Sequence, residues 1–300
     1  MKQVFLFPGQ GSQYQGMGKH LYNKFDFAKI LINNSNEILN FNIKEILIND
    51  TNEKINETKY TQPAIFIYNM ILDRYLKEEG HENIACAGHS LGEYSALVSL
   101  NIISFESALK IIKKRAGKMD ELGTKLPGKM AAVLNISAKK LKIILSNYKN
   151  IVIANYNTDN QIILSGEKKE MNKLISESKE HGIRRIIPLN VSGAFHSPLM
   201  KNARIYLEKF IKSIEFQETN IPIYQNVYPN RNFNSNDIKN NIINQIDQPV
   251  RWLETIINMK NDGFKHYIEV GPKNILTNFN KKIIPDLNTI NCESLIESLV

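Results

Sequence analysis

Ile84-Ala85-Cys86-Ala87-Gly88-His89-Ser90-Leu91-Gly92-Glu93-Tyr94 is the stretch that decides the fold. Its first four residues are small or apolar and read as a buried strand. Two glycines bracket a sharp turn, and the run from Glu93 to Leu100 has helical apolar spacing. A serine on a strand-to-helix turn stands clear of the backbone, and flanking glycines relieve the crowding, so the stretch fits the G-x-S-x-G nucleophile elbow. The N–H of Leu91 then lies at a helix N-terminus, where it can face a developing oxyanion. Five residues also match by chance, the alternative being a tight turn packed with small residues. The flanking strand and helix therefore carry the reading.

Working outward toward the N-terminus, Lys2 to Phe7 reads as a buried strand that stops at Pro8-Gly9. The loop Gly9 to Gly18 is rich in glycine and leads into a helix from about Lys19. A strand, a glycine loop and a helix could present N–H groups to an anion. The loop is nevertheless not a P-loop, because no Lys-Ser or Lys-Thr follows, and it lacks the third glycine of a dinucleotide fingerprint. Ala64 to Leu76 has helical spacing with Pro63 expected in the first turn. Ser104 is placed to cap a helix that runs to about Glu121.

Toward the C-terminus the order is a strand (Met130 to Ile136), a helix (Ser137 to Tyr148) and a strand pair (Ile151 to Asn155, Gln161 to Ser165). A helix (Glu167 to His181, ended by Gly182) and a strand (Ile183 to Val191) follow. That βαββαβ order is ferredoxin-like. Gly123, Pro127-Gly128 and Ser192-Gly193 bound it, so a small unit inserted into a larger α/β domain is expected. Beyond it come helices at about Pro198 to Phe210, Asp237 to Ile246 and Trp252 to Lys260. The remaining strands are Ile221 to Gln225 and His266 to Val270.

Composition narrows the class. With 42% hydrophobic and 23% charged residues in 300, the chain is ordinary globular material. No apolar run approaches the roughly 20 residues that span a bilayer. Val4 to Phe7 is too short for a signal peptide, so no membrane partner and a cytoplasmic location are expected. Cys86 and Cys292 are too few for a disulfide framework and lack metal-ligand spacing, so both read as reduced thiols and no metal is expected. The formal net charge of +8 suits acidic partners. The abundance of Lys, Asn and Ile supplies a plainer explanation, a coding bias, and no nucleic-acid motif supports that partner.

A serine is inert until a base activates it. Of the six histidines, His196 lies in the loop Val191-Ser192-Gly193-Ala194-Phe195-His196-Ser197-Pro198, where the chain returns to the larger unit. It is the foremost candidate, with the other five still open. Arg115 lies among Lys113, Lys114 and Lys118 on the helix after the elbow. Those neighbours suit a solvated basic face; a planar bidentate donor for a substrate carboxylate is the alternative.

Five segments in order carry a resemblance: Phe7-Pro8-Gly9-Gln10-Gly11-Ser12-Gln13, Thr61-Gln62-Pro63-Ala64, Gly88 to Tyr94, Phe195-His196-Ser197 and Glu269-Val270-Gly271-Pro272. Together they resemble the malonyl-CoA:acyl carrier protein transacylases of fatty acid synthesis, nearly end to end. The resemblance implies an α/β fold with a hydrolase-like three-layer core (1–124 and 193–300) and an inserted ferredoxin-like βαββαβ subdomain (125–192). It implies Ser90 as nucleophile, His196 as base, the N–H groups of Gln10 and Leu91 as oxyanion hole, and Arg115 as receptor for the malonyl carboxylate. It further implies that the backbone carbonyl of Gln245 orients the histidine, while Gln62, Asn157 and Phe195 line the site. Gln248, where some relatives carry Asn, is expected to lie off the reacting atoms. The implied partners are malonyl-CoA and an acidic acyl carrier protein, received near Arg184 and Arg185. No cofactor is implied, and a monomer is expected. A serine hydrolase sharing Ser90 and His196, or a carrier-binding module without catalysis, are the competing classes.

Overall fold

The computed structural model describes residues 1–296. Its larger sheet is built from β1 (Lys2–Phe7), β2 (Glu82–Gly88), β7 (Ile223–Tyr224), β8 (His266–Glu269) and β9 (Asn288–Asn291), in the order β7-β2-β1-β8-β9. Every neighbouring pair is parallel. Parallel strands are buried on both faces, which explains why β1 runs from Val4 to Phe7 as an unbroken apolar stretch without polar alternation. Phe5 and Phe7 of β1 and Cys86 of β2 point to one side, against the helices Thr58–Glu78 and Phe105–Lys125. Val4, Leu6, Ala85 and Ala87 point to the other, against Trp252, Ile256 and Leu276. This is the three-layer arrangement expected.

The smaller sheet comprises β3 (Gly128–Leu134), β4 (Ile151–Thr158), β5 (Gln161–Glu167) and β6 (Arg185–Pro188) in the order β4-β5-β3-β6, antiparallel throughout. With the helices Ala138–Leu145 and Lys168–Glu177 it forms the ferredoxin-like βαββαβ unit around its own core of Val133, Leu141, Leu164 and Leu174. Entry to and exit from this unit cross closely. A Cβ on Gly123 would lie 2.2 Å from the Ser192 carbonyl oxygen, so only glycine fits that crossing. The edge of β4 is tied to the larger unit: Tyr156 donates to the Val250 carbonyl at 2.9 Å and Val250 donates to that of Ala154 at 2.8 Å.

Some local expectations need correction. The helix before the elbow starts at Thr58, so Pro63 lies inside it and leaves the Lys59 carbonyl without its helical donor. The Thr61 hydroxyl, bonded to the carbonyls of Ile55 and Glu57, secures the added turn. The helix expected to end at His181 ends at Glu177, and His181 instead pairs with the Tyr148 hydroxyl. The helix Ile275–Ile283 and strand β9 were not anticipated.

Candidate active site

Strand β2 ends at Gly88, and the chain turns so tightly that Ser90 takes a positive φ of 50°. That left-handed backbone costs a non-glycine residue roughly 1–3 kcal/mol and persists only where its surroundings fix it. Here they do. The Ser90 N–H donates to Asn226 Oδ1 at 2.7 Å, and the Ser90 carbonyl accepts from Gln245 Nε2 at 2.8 Å. Asn226 Nδ2 also donates to the Gly88 carbonyl at 2.6 Å. Gly92 is demanded by space, since a Cβ there would sit 1.9 Å from the Phe7 carbonyl oxygen. β1 and β2 thus press the elbow against the glycine-rich loop, and the helix Gly92–Ser99 departs from it.

His196 meets the serine, its Nε2 lying 2.7 Å from Ser90 Oγ. On the other side Nδ1 faces two backbone carbonyls, Gln245 at 2.9 Å and Gln248 at 3.1 Å. Carbonyls only accept, so their position assigns the proton to Nδ1 and leaves the Nε2 lone pair toward the serine. Burial, reinforced by the charge of Arg115, pushes the His196 pKa down to about 3, against the opposing pull of the two carbonyls. The ring is neutral at neutral pH. Gln248 corrects the expectation that it would lie off the reacting atoms: its side chain is not what matters, and its carbonyl is the second acceptor for the histidine.

Arg115 is 1% exposed, which removes the solvated-face reading; only its lysine neighbours face outward. Its Nη1 donates to Gln62 Oε1 at 2.6 Å, and Nη2 donates to Ser90 Oγ at 3.0 Å and Gln245 Oε1 at 3.3 Å. The guanidinium carbon lies 5.6 Å from the ring centre of Tyr94. All three hydrogen-bond acceptors are neutral oxygens, and Nε has no partner among the described residues. Burial lowers the pKa of the guanidinium from its ordinary value. The result is a desolvated cation beside the nucleophile without a contacting anion, a site that favours a carboxylate.

These groups open into a cavity of about 540 Å³ between the two sheets. Gln10 and Leu91 line it beside Ser90. The hydrogen bonds of the described residues include no acceptor for the backbone N–H of either, which leaves both free to face an oxyanion. Phe195 lines the wall of this cavity. Gln62 lines the cavity too, with its Oε1 accepting from Arg115. Asn157 also lines the cavity, but its Oδ1 lies 2.9 Å from His89 Nε2, so its contact is with the neighbour of the serine. Arg184 and Arg185 are exposed at the start of β6 and line no part of this cavity.

Three site residues escaped the sequence reading: Asn226, Gln225 and Glu93. Asn226 follows β7 at the carboxyl end of the parallel sheet, where ligand sites of such sheets lie, and that position was a usable signal. Glu93 stands in the first turn of a helix that is buried almost throughout. A carboxylate in such a run is itself informative. Both cysteines are buried and free. Among the described residues no group of His, Cys, Asp and Glu could hold a metal, and no helix is long and apolar enough to cross a membrane.

Comparison with known proteins gives the family. The family model described as the acyl transferase domain matches residues 4–296. The malonyl CoA-acyl carrier protein transacylase of Staphylococcus aureus is 36% identical over 298 residues, covering 98% of this chain and 96% of the relative. The crystal structure of the Synechocystis malonyl-CoA:ACP transacylase superposes with a TM-score of 0.90 at 34% identity, covering 97% of both chains. A malonyl-transacylase solved in complex with its type II PKS acyl-carrier protein matches with a TM-score of 0.90 at 29% identity, over 97% of this chain and 96% of that one. The chain belongs to the acyl transferase domain family, and within it to the malonyl-CoA:acyl carrier protein transacylases.

Proposed function

We propose that this protein moves the malonyl group of malonyl-CoA to the phosphopantetheine thiol of acyl carrier protein through a malonyl ester on Ser90, supplying the extender unit of fatty acid synthesis. The observation that carries the reading is the oxygen shared by two groups of different purpose. Ser90 Oγ touches both His196 Nε2, a neutral base, and Arg115 Nη2, a cation suited to a carboxylate.

In the first half-reaction His196 takes the Ser90 proton as Oγ attacks the thioester carbon. The new oxyanion faces the N–H groups of Gln10 and Leu91, each worth on the order of 3 kcal/mol in the barrier. The C–S bond then breaks, and the imidazolium returns its proton to the departing coenzyme A thiolate. The second half-reaction runs in the opposite sense. His196 takes the proton of the carrier's thiol, the thiolate attacks the ester, and Ser90 leaves with the proton. Throughout, the carbonyls of Gln245 and Gln248 hold the imidazolium that forms, while Arg115 binds the malonyl carboxylate with Gln62 steadying it. Phe195 and Asn157 complete the wall. The chemistry needs no metal or further cofactor, and one chain supplies the whole site, which suits a monomer; a cytoplasmic location is part of the proposal.

Intact-mass measurement after incubation with a mixture of acyl-CoAs tests the reading. The expected result is a malonyl adduct that maps to Ser90, is absent from Ser90→Ala, and is discharged by carrier protein with ping-pong kinetics. Release of malonate to water at the same rate without carrier would make the protein a hydrolase.

Carrier docking is assigned to the exposed pair Arg184 and Arg185, whose charge suits an acidic partner. Reversing both charges (Arg184→Glu with Arg185→Glu) should raise KM for the carrier several-fold, in the way rim charges act on association. KM for malonyl-CoA should stay constant. An unchanged KM for the carrier moves the docking surface elsewhere.

A further inference from the structure

Beneath the elbow, Glu93 is completely buried and its carboxylate meets only N–H donors. Gln245 Nε2 and Gln225 Nε2 each donate to it at 2.9 Å, and the main-chain N–H of Asn226 donates at 3.0 Å. None of these donors is free to turn round. The Gln225 amide oxygen accepts from Asn232 at 3.2 Å and Asn241 at 2.9 Å, so its nitrogen must face Glu93. Asn226 presents a backbone N–H. An ionised carboxylate, which only accepts, is the group that satisfies all three.

The consequence passes along Gln245. Its amide nitrogen serves two acceptors, Glu93 and the Ser90 carbonyl, so its oxygen is turned toward Arg115. The reversed amide would set an NH₂ group against the guanidinium and an oxygen against two other oxygens. Asn226 extends the same logic, since its side chain holds the Ser90 N–H and the Gly88 carbonyl while its main chain is held by Glu93. Both polar groups of the strained Ser90 backbone are therefore anchored, one residue removed, on a single carboxylate.

We propose that Glu93 is a positioning residue of the transfer: through the amides of Gln245 and Asn226 it fixes the Ser90 backbone and aims Arg115 at the cargo carboxylate. The role rests on reading Ser90 as nucleophile and Arg115 as carboxylate receptor. Glu93 itself touches no cargo. Burial pushes its pKa up to about 7, with the Gln245, Asn226 and Gln225 donors and the Arg115 charge opposing. The donor geometry fits the ionised form.

Glu93→Gln tests the role because it keeps the shape and replaces one acceptor oxygen with a donor. Competent sites are first titrated with phenylmethanesulfonyl fluoride, a neutral serine reagent, so that misfolded protein does not enter the rates. Per titrated site, malonylation of Ser90 should slow ten- to a hundredfold, and the preference for malonyl-CoA over acetyl-CoA should fall at least tenfold. A purely structural role predicts fewer titratable sites with rate per site and preference unchanged, and that result overturns the proposal. If Glu93→Gln does not fold, Gln245→Leu decides. It keeps the main-chain carbonyl on His196 and should lower the same preference; an unmoved ratio again overturns it. Absence of any malonyl adduct in the wild-type protein marks failure of the transfer reading instead, so the two failures are distinguishable.

Discussion

Replacing His196 by alanine is expected to slow malonylation of Ser90 about 10³- to 10⁴-fold, the upper part of the range for a lost general base. Single-turnover mixing with malonyl-CoA, followed by intact mass, measures it. The geometry makes the histidine hard to substitute. Its Nε2 is the one imidazole nitrogen within hydrogen-bond reach of Ser90 Oγ among the described residues, at 2.7 Å. His89 is adjacent in sequence, yet its Nε2 is occupied by Asn157 at 2.9 Å. The elbow turns the two side chains apart, so His89 cannot take over. Arginine beside the serine cannot act as base either, since guanidinium has no lone pair to offer at neutral pH.

The carbonyl pair on Nδ1 explains how this histidine works without an acidic partner. Two carbonyl dipoles fix the tautomer and offset part of the charge that forms in the transition state. A carboxylate would do so more strongly, but it would also bring a negative charge close to where the malonyl carboxylate is proposed to bind. Neutral acceptors avoid that repulsion. A His196→Ala variant that malonylated Ser90 within tenfold of the wild-type rate would assign the base to another group.

Much of this site was legible because its chemistry sits in side chains with local signatures. Ser90 announced itself through a strand, two glycines and a helix, and the ferredoxin-like unit through its element order. What stayed hidden was held by groups without a signature. Any residue can supply a backbone carbonyl, so nothing in Gln248 marks it as a partner of His196. Asn226 follows a strand that was expected, Ile221 to Gln225, but an amide just past a strand end has no pattern that sets it apart from an ordinary loop residue. β9, Asn288–Asn291, has only Ile290 as an apolar residue, and that side chain faces outward, so no apolar alternation marks the stretch as a strand. Arg115 was ambiguous for a related reason. Its lysine neighbours describe the outer face of the helix, whereas the arginine occupies the inner one, and only packing against the helix Thr58–Glu78 reveals which.

Arg115→Ala is expected to cut malonyl transfer by 10² to 10³-fold while acetyl transfer changes little. Parallel kcat/KM measurements with malonyl-CoA and acetyl-CoA check it, with thermal unfolding as a control for folding. Truncating one partner of a buried, hydrogen-bonded charge pair costs about 2–5 kcal/mol, and each 1.4 kcal/mol is a factor of ten, so the middle of that range gives the expected loss. In the proposed transfer malonyl forms that pair with Arg115; acetyl, lacking the carboxylate, has nothing to lose. The resting contacts sharpen the expectation. Arg115 Nη2 donates to Ser90 Oγ at 3.0 Å, a bond to a neutral acceptor that a carboxylate outcompetes, while the Gln245 oxygen at 3.3 Å keeps the guanidinium aimed. When malonyl takes the guanidinium, the bond on Oγ is relinquished and a lone pair of the nucleophile is freed. The incoming negative charge also offsets the arginine charge that helps to depress His196, so the base strengthens as the cargo arrives. Acetyl brings neither change, so the discrimination should appear in kcat as well as in KM. Equal losses for both cargoes would reduce Arg115 to a brace for Gln62 and Gln245.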